Sequence, residues 1–462
     1  VPILNVGLIC QARCGYDDHV LALEKNEMTD EEWETYLTET RGLDPEDTEA
    51  REEFTAYIEG LGMNTREDFE AYLDTIALRP GTAEWDAYVQ DILDLIEYAN
   101  GDTTTEWGAL RAQNGHPASF GLEYIGLGNE NWGEVYFRNL EALKAEINAV
   151  YPEITIISSS GPVSSGEQFD ESWAQLETSH SDTIVDEHYY QEDNWYLANT
   201  ERYDSYDRDG AKVFLGEYAA TSKGVGTIQT KSNLKAAMSE AAYMTGLERN
   251  GDVVVMASYA PIFAKINAQE WTINMIWFDS HNTVLTPSYY TQMLFMNNTG
   301  SRYVDTELPE GTDGMYQSVT VDEENEILYI KLVNTTGESR EVTYNPKGFG
   351  VVRYSDMLSL SDRSSAACNE VGKTCIVPKT VKTTGDEGVT VRVDGYSVNV
   401  IRITYGENRT QKGLYDLPRM PETRRFYTGL ETALIWGVPT VAAVITVGTI
   451  VIVRLVRRKR KK

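Results

Sequence analysis

The sequence predicts an α/β fold: a partial (β/α)8 barrel lacking its first two strands, then an all-β sandwich and a C-terminal transmembrane helix. Three observations carry this reading. From about residue 90, short apolar runs alternate with amphipathic segments, the pattern of parallel βαβ units. From residue 303, strand-like segments follow one another with turns between them and no helical periodicity. Residues 433–453, ALIWGVPTVAAVITVGTIVIV, form an uncharged run of 21 positions followed by RLVRRKRKK.

In chain order, VPILNVGL is apolar, short and ended by Gly7, and reads as a buried strand. Residues 24–78 are acidic and helix-prone. WETYL (33–37), FTAYI (54–58) and FEAYL (69–73), with WDAYV (85–89) just beyond, each place an aromatic, a Tyr and an aliphatic residue on one helical face. Thr29, Thr65 and Thr82 are placed to cap three of these helices. This stretch is an expected helical insertion with a solvated acidic face. The segments LEYIGLG, ITIISSS, TIVDEHYY, AKVFLGEYAA and DVVVMASYA supply five more strands, with VQDILDLIEYA and FRNLEALKAEINAVY among the helices between them. Residues 1–23 and 79–302 then form six strands, numbers three to eight of a barrel. A doubly wound sheet is the alternative, but no G-x-G-x-x-G follows any of these strands. SVTVD, ILYIKLVN, REVTYN, VVRYS, VTVRV and SVNVIRITY make a sandwich over 303–406. Residues 407–432 are polar and Pro-broken, as a stalk would be.

At ~1.5 Å rise per residue the run 433–453 spans a bilayer core of ~30 Å. The seven cations in 454–462 place the C-terminus in the cytoplasm and the body outside, so the expected location is the cell surface, with one membrane pass. An exported body needs a leader, and VPILNVGLICQARCGYDD has neither an initiator Met nor a basic start; the N-terminus is expected to be missing. Exterior conditions permit disulfides, and Cys368 with Cys375 is the preferred pair, while Cys10 and Cys14 could equally be buried thiols.

With 72 acidic against 40 basic residues the formal charge is −32, which makes nucleic acid a poor partner. The 28 Tyr and 9 Trp suit a surface that stacks on sugars. No Cys or His spacing supports a zinc site, and neither a metal nor a cofactor is expected.

In a parallel barrel the chemistry sits at the C-terminal strand ends. LEYIGLGNENWG puts Asn129 and Glu130 beyond one strand, IVDEHYY brings His188 and Tyr190 to another, and AKVFLGEYAA puts Glu217 on a third. An isolated Glu there is most often a solvated loop charge. Two, each after an apolar strand, are the minimum equipment for cleaving a glycosidic bond, one as proton donor and one as nucleophile or base.

These residues resemble a known family. GNENWG, VDEHYY, FLGEYAA, DVVVMASYAP and the run WTINMIWFDS with TPSYYTQMLF look like the catalytic half of the family 51 glycoside hydrolases, the α-L-arabinofuranosidases of a large retaining clan. The resemblance covers residues 1–23 and about 79–405. It implies Glu130 as acid/base and Glu217 as nucleophile, with Asn129 on the sugar hydroxyl beside the reacting carbon. His188 and Tyr190 resemble the family's strand-six pair, Tyr190 holding the nucleophile; His188 could instead be a structural histidine. Asn274 stands where relatives place a sugar-contacting amide, and Trp271 and Trp195 could be apolar walls, though buried Trp more often packs. Two departures stand out: strands one and two, with the Glu and glycine-rich loop that relatives use, are absent, and the acidic insertion falls on the catalytic face. The implied function is exo-acting release of terminal arabinofuranose from arabinan, arabinoxylan or arabino-oligosaccharides. A same-clan enzyme on β-linked xylan or glucan, or an inactive sugar-binding surface protein, are the competing readings.

Overall fold

The computed structural model describes residues 1–8, 18–179, 183–221, 232–268, 271–384 and 388–407. Six parallel strands, β1 (Ile3–Leu4), β2 (Tyr124–Leu127), β3 (Thr155–Ser159), β4 (Ile184–Gln191), β5 (Lys212–Ala220) and β6 (Val254–Tyr259), lie side by side in chain order. They make an arc of a barrel, as the alternating pattern predicts. Its inner apolar floor is built by Ile157, Ile184 and Phe214.

Helices α1 (Asp18–Lys25), α2 (Asp30–Thr35), α3 (Thr48–Gly60), α4 (Arg66–Ile76), α5 (Ala83–Asn100) and α6 (Glu106–Gln113) separate β1 from β2, and a π-helical turn (Tyr36–Thr40) extends α2. The three expected caps are present: Thr29 and Thr65 form capping boxes with Glu32 and Asp68, and Thr82 accepts from the Trp85 N–H. Leu21 and Ala22 of α1 share a small core with Trp33, Leu37 and Ile58. Val20 of the same helix enters the barrel-side core, so α1 joins the two. Its α4 faces the other way, burying Phe69 and Leu73 in the barrel-side core with Val6, Trp132 and Tyr136.

Beyond β2 come α7 (Gly133–Val150), α8 (Glu167–Ser179), α9 (Asp193–Ala198) and α10 (Leu234–Arg249). The sequence pattern does not foretell the small sheet that follows β6: β7 (Phe263–Lys265), β8 (Ile276–Phe278) and β9 (Thr283–Leu285). Helix α11 (Pro287–Met296), capped by Thr286, leads into the sandwich.

The sandwich holds β10 (Arg302–Tyr303), β11 (Met315–Asp322), β12 (Ile327–Asn334), β13 (Arg340–Tyr344), β14 (Tyr354–Ser361), β15 (Lys379–Val381), β16 (Val389–Val393) and β17 (Ser397–Thr404). The large sheet runs β10-β11-β12-β17-β14-β15, and β13 pairs with β16. The strand expected at VVRYS lies a few residues later, because the run Met357–Leu360 is what the core buries while Val351 stays exposed. Strands β12 and β17 are buried along their whole length. One face (Leu328, Ile330, Leu332, Ile401, Ile403) meets the second sheet; the other (Val333, Val398, Val400) joins the core of α10 and α11.

The expected Cys368–Cys375 disulfide is not formed. Cys375 Sγ points at the carbonyl of Cys368 (3.4 Å), and the loop is held instead by the buried Asn369. Its amide donates to Leu285 and Ile376 carbonyls and its oxygen accepts from the Cys375 and Ile376 N–H groups. Cys10, Cys14, most of the expected stalk, the apolar run 433–453 and the basic tail lie outside the described residues. Among the described residues no helix is long and apolar enough to cross a membrane.

Candidate active site

Side chains on β4 alternate, so Asp186, His188 and Tyr190 face the barrel interior while Tyr189 faces the helices. Pairing with β5 is regular up to Glu187 opposite Leu215, and then skips Gly216 so that His188 stands opposite Glu217. Without that bulge Glu217 would fall opposite Tyr189 and point outward. One extra residue in β5 therefore brings Glu217 to the mouth.

Glu130 arrives from the neighbouring β2–α7 loop with a left-handed backbone (φ 56°), a conformation that costs a non-glycine residue energy and is typical of functional turns. His188 sits between the two glutamates. Its Nδ1 lies 3.0 Å from Glu130 Oε1 and 3.6 Å from Glu217 Oε2, and its Nε2 lies 3.2 Å from Asp186 Oδ2. One ligand-type atom from each of Glu130, His188 and Glu217 lies within 4.8 Å of the others. Tyr190 donates its hydroxyl to Glu217 Oε2 (2.6 Å), and Trp271 meets the Tyr190 ring edge-to-face at 4.8 Å. Glu217 is the more open carboxylate, 30% exposed against 13% for Glu130.

Burial alone would lower the His188 pKa, but Asp186, Glu130 and Glu217 outweigh it and hold the imidazole well above its usual value. The ring is thus a cation with an N–H on each side, one for Asp186 and one for the glutamate pair. Burial, and after it the charge of Glu217, push the Tyr190 phenol far up, so it remains a donor.

The insertion reaches this rim. Trp132, two residues after Glu130, stacks on Phe69 of α4 at 6.0 Å and lies under the Arg66 guanidinium at 5.2 Å. Glu70 accepts from the Val135 N–H in the first turn of α7 (3.3 Å), where the helix dipole favours an anion. Gly133 there has φ 85°, and a β-carbon on it would lie 1.9 Å from Glu70 Oε1.

The residues expected from the sequence divide as follows. Glu130, Glu217, His188, Tyr190 and Trp271 meet in one cluster. Asn129 sits at its edge, its N–H on Asn131 Oδ1 (3.0 Å). Asn274 is buried with its amide on the Phe263 carbonyl (2.9 Å), which ties it to the small sheet. Trp195 packs on Tyr189, Tyr196 and Tyr243, on the outer face of β4. Asp186, absent from the residues expected from the motifs, shares the inward phase of His188 and Tyr190 on the same strand, a phase that period-two counting gives.

Two family models match the chain: the α-L-arabinofuranosidase 1 domain over residues 6–208 and the α-L-arabinofuranosidase C-terminal domain over residues 216–397. Between them the two matches cover most of the chain, and both models describe α-L-arabinofuranosidases. An extracellular exo-α-L-arabinofuranosidase of Streptomyces chartreusis is 46% identical over 221 residues, which is 48% of this chain and 26% of the relative. Arabidopsis thaliana α-L-arabinofuranosidase 1 is 34% identical over 264 residues, 56% of this chain and 37% of the relative. The chain thus spans 26% and 37% of the length of those two relatives. An arabinose-bound GH51 α-L-arabinofuranosidase superposes with a TM-score of 0.63 at 27% identity, covering 72% of this chain and 53% of that one. The Thermotoga maritima α-L-arabinofuranosidase–arabinose complex shares the fold (TM-score 0.56, 18% identity, 71% and 74% coverage).

Proposed function

We propose that this chain carries the catalytic centre of a retaining, exo-acting α-L-arabinofuranosidase. The observation that carries the reading is the convergence of Glu130 and Glu217 to within 4.8 Å, oxygen to oxygen, at the end of the parallel strands. Retaining glycosidases hold their carboxyl groups ~5–5.5 Å apart, whereas inverting ones need ~6.5–9.5 Å to admit a water. Glu217 attacks the anomeric carbon of a terminal arabinofuranose while Glu130 gives its proton to the departing oxygen. The ester so formed on Glu217 is opened by a water that Glu130 deprotonates, which restores both groups. The His188 ring and the Tyr190 hydroxyl hold the Glu217 carboxyl group in place between turnovers.

Glu217→Ala is expected to lower kcat on 4-nitrophenyl α-L-arabinofuranoside on the order of 10⁴-fold or more. Glu130→Ala should lose ~10²–10⁴-fold on arabino-oligosaccharides but much less on the aryl glycoside, whose leaving group needs no proton. Full activity in both variants sinks the reading. Faster release of xylose or glucose from β-linked polymers would instead favour another activity of the same clan.

The uncharged run 433–453 and its basic tail support a cell-surface enzyme with an outward-facing catalytic body acting on arabinose-containing polysaccharide. Alkaline carbonate washing of membranes from expressing cells decides it: the anchored protein stays in the pellet, and release into the wash rules the anchor out.

A further inference from the structure

Glu217 reaches the mouth only through the bulge at Gly216, so whatever fixes that bulge aims the nucleophile. Asp186 lies against it. A β-carbon built on Gly216 would stand 2.0 Å from Asp186 Oδ1, so the carboxylate occupies the space that any larger residue at 216 would need. The other Asp186 oxygen faces His188 Nε2 at 3.2 Å and so turns Nδ1 toward Glu130 and Glu217. Asp186 is only 3% exposed. Its Oδ1 has no hydrogen-bond partner among the described residues, which is costly for a buried carboxylate unless a cation offsets it. From the other side, Ser258 of β6 donates to the Gly216 carbonyl at 2.5 Å. That carbonyl belongs to the stretch where the β5–β6 ladder shifts register between Leu215 and Tyr218.

The geometry points to Asp186 as a positioning residue: through the Gly216 bulge and His188 it sets the direction of Glu217, with Ser258 pinning the bulge from β6. This rests on the catalytic reading of Glu217, and it goes further by naming what makes a glutamate at this strand position face inward at all. Asp186 touches no reacting atom; its action is relayed by the bulge and the imidazole. The groups facing His188 are Asp186 from β4, Glu130 from the β2–α7 loop and Glu217 from β5.

The test is Asp186→Asn in the full chain, assayed on 4-nitrophenyl α-L-arabinofuranoside across pH. A fall in kcat of ~10²-fold or more with KM changed less than ~3-fold is expected, since the loss is in the reacting geometry and not in binding. The alkaline limb of kcat should also move to lower pH, because the imidazolium loses one of the anions that hold its proton. A destabilised but correctly aimed site would lower the active fraction and leave that limb in place. Parent-like kcat and limb overturn the proposal. If Asp186→Asn does not fold, Ser258→Ala decides: a kcat loss of ~10-fold at unchanged KM supports the device, and a kcat within ~2-fold of the parent overturns it. Should Glu217→Ala itself stay fully active, the catalytic reading fails first. If Glu217→Ala is inactive and Asp186→Asn and Ser258→Ala are not impaired, only the positioning inference fails.

Discussion

Tyr190 shows how much one hydroxyl contributes at this site. It donates to Glu217 Oε2 at 2.6 Å, and its ring is braced edge-on by Trp271, so Tyr190→Phe removes the bond and keeps the packing. A hydrogen bond to a charged group is worth about 1.5–3 kcal/mol, so kcat should fall roughly 10- to 100-fold with KM nearly unchanged. Because the phenol stays protonated at ordinary pH, the loss should be the same at pH 5 and pH 8, in contrast to the shifted limb expected for Asp186→Asn. Steady-state kinetics at the two pH values checks both statements. The residues that were legible in the sequence, Glu130, His188, Tyr190 and Glu217, share one property: each lies at the C-terminal end of an apolar run, where a polar side chain needs a reason. Asp186 lies deeper in the same strand and looks like part of the run. Trp195 packs among tyrosines on the outer face of β4, the more common fate of a buried Trp.

At the scale of elements, local chemistry decided most of what could be read. A Thr followed three residues later by an acid fixes a helix start within a few bonds, and Thr29 with Glu32 and Thr65 with Asp68 form the expected boxes. The repeated aromatic–Tyr–aliphatic faces likewise reported buried stripes, Trp33 and Leu37 in one core and Phe69 and Leu73 in another. What the repeat could not tell is which core each stripe enters: Trp33, Leu37 and Ile58 share one with Leu21 of α1, while Phe69 and Leu73 of α4 join the barrel-side core, which also takes Val20 of α1. The bulge at Gly216 was equally hidden. A glycine in a strand is compatible with a bulge, a bend or a close approach, and only the Asp186 carboxylate opposite it selects among them. The small sheet β7 to β9 was invisible because its strands are three residues each and its turns lie among aromatic residues that read as loop.

For the whole molecule, the decisive feature is that barrel and sandwich share one core. Helices α10 and α11 are buried on the barrel by Tyr243, Leu247 and Leu294 and on the sandwich by Val333, Val398 and Val400, all in a single cluster. At that seam Lys331 of β12 is wholly buried and reaches Glu248 of α10 at 2.5 Å, with Ser318 of β11 donating to the other Glu248 oxygen at 2.5 Å. Burial lowers the Lys331 pKa, and Glu248 acts against that. Phe295 and Tyr329 rings lie within 6 Å of the ammonium, so little water can replace a lost anion. Glu248→Ala would strand the cation, and removing one partner of a buried pair costs about 3–5 kcal/mol. The double change Glu248→Leu with Lys331→Met removes both charges and should recover most of that loss, because an apolar pair of similar volume is often no worse than the ions it replaces. Urea unfolding followed by tryptophan fluorescence and by arabinofuranosidase activity measures the effect. The parent should lose both signals in one transition, and Glu248→Ala should bring that transition to lower urea for both signals together, since the shared core leaves neither half a boundary at which to stop. An unchanged midpoint in Glu248→Ala would mean that the apolar seam alone holds barrel and sandwich together.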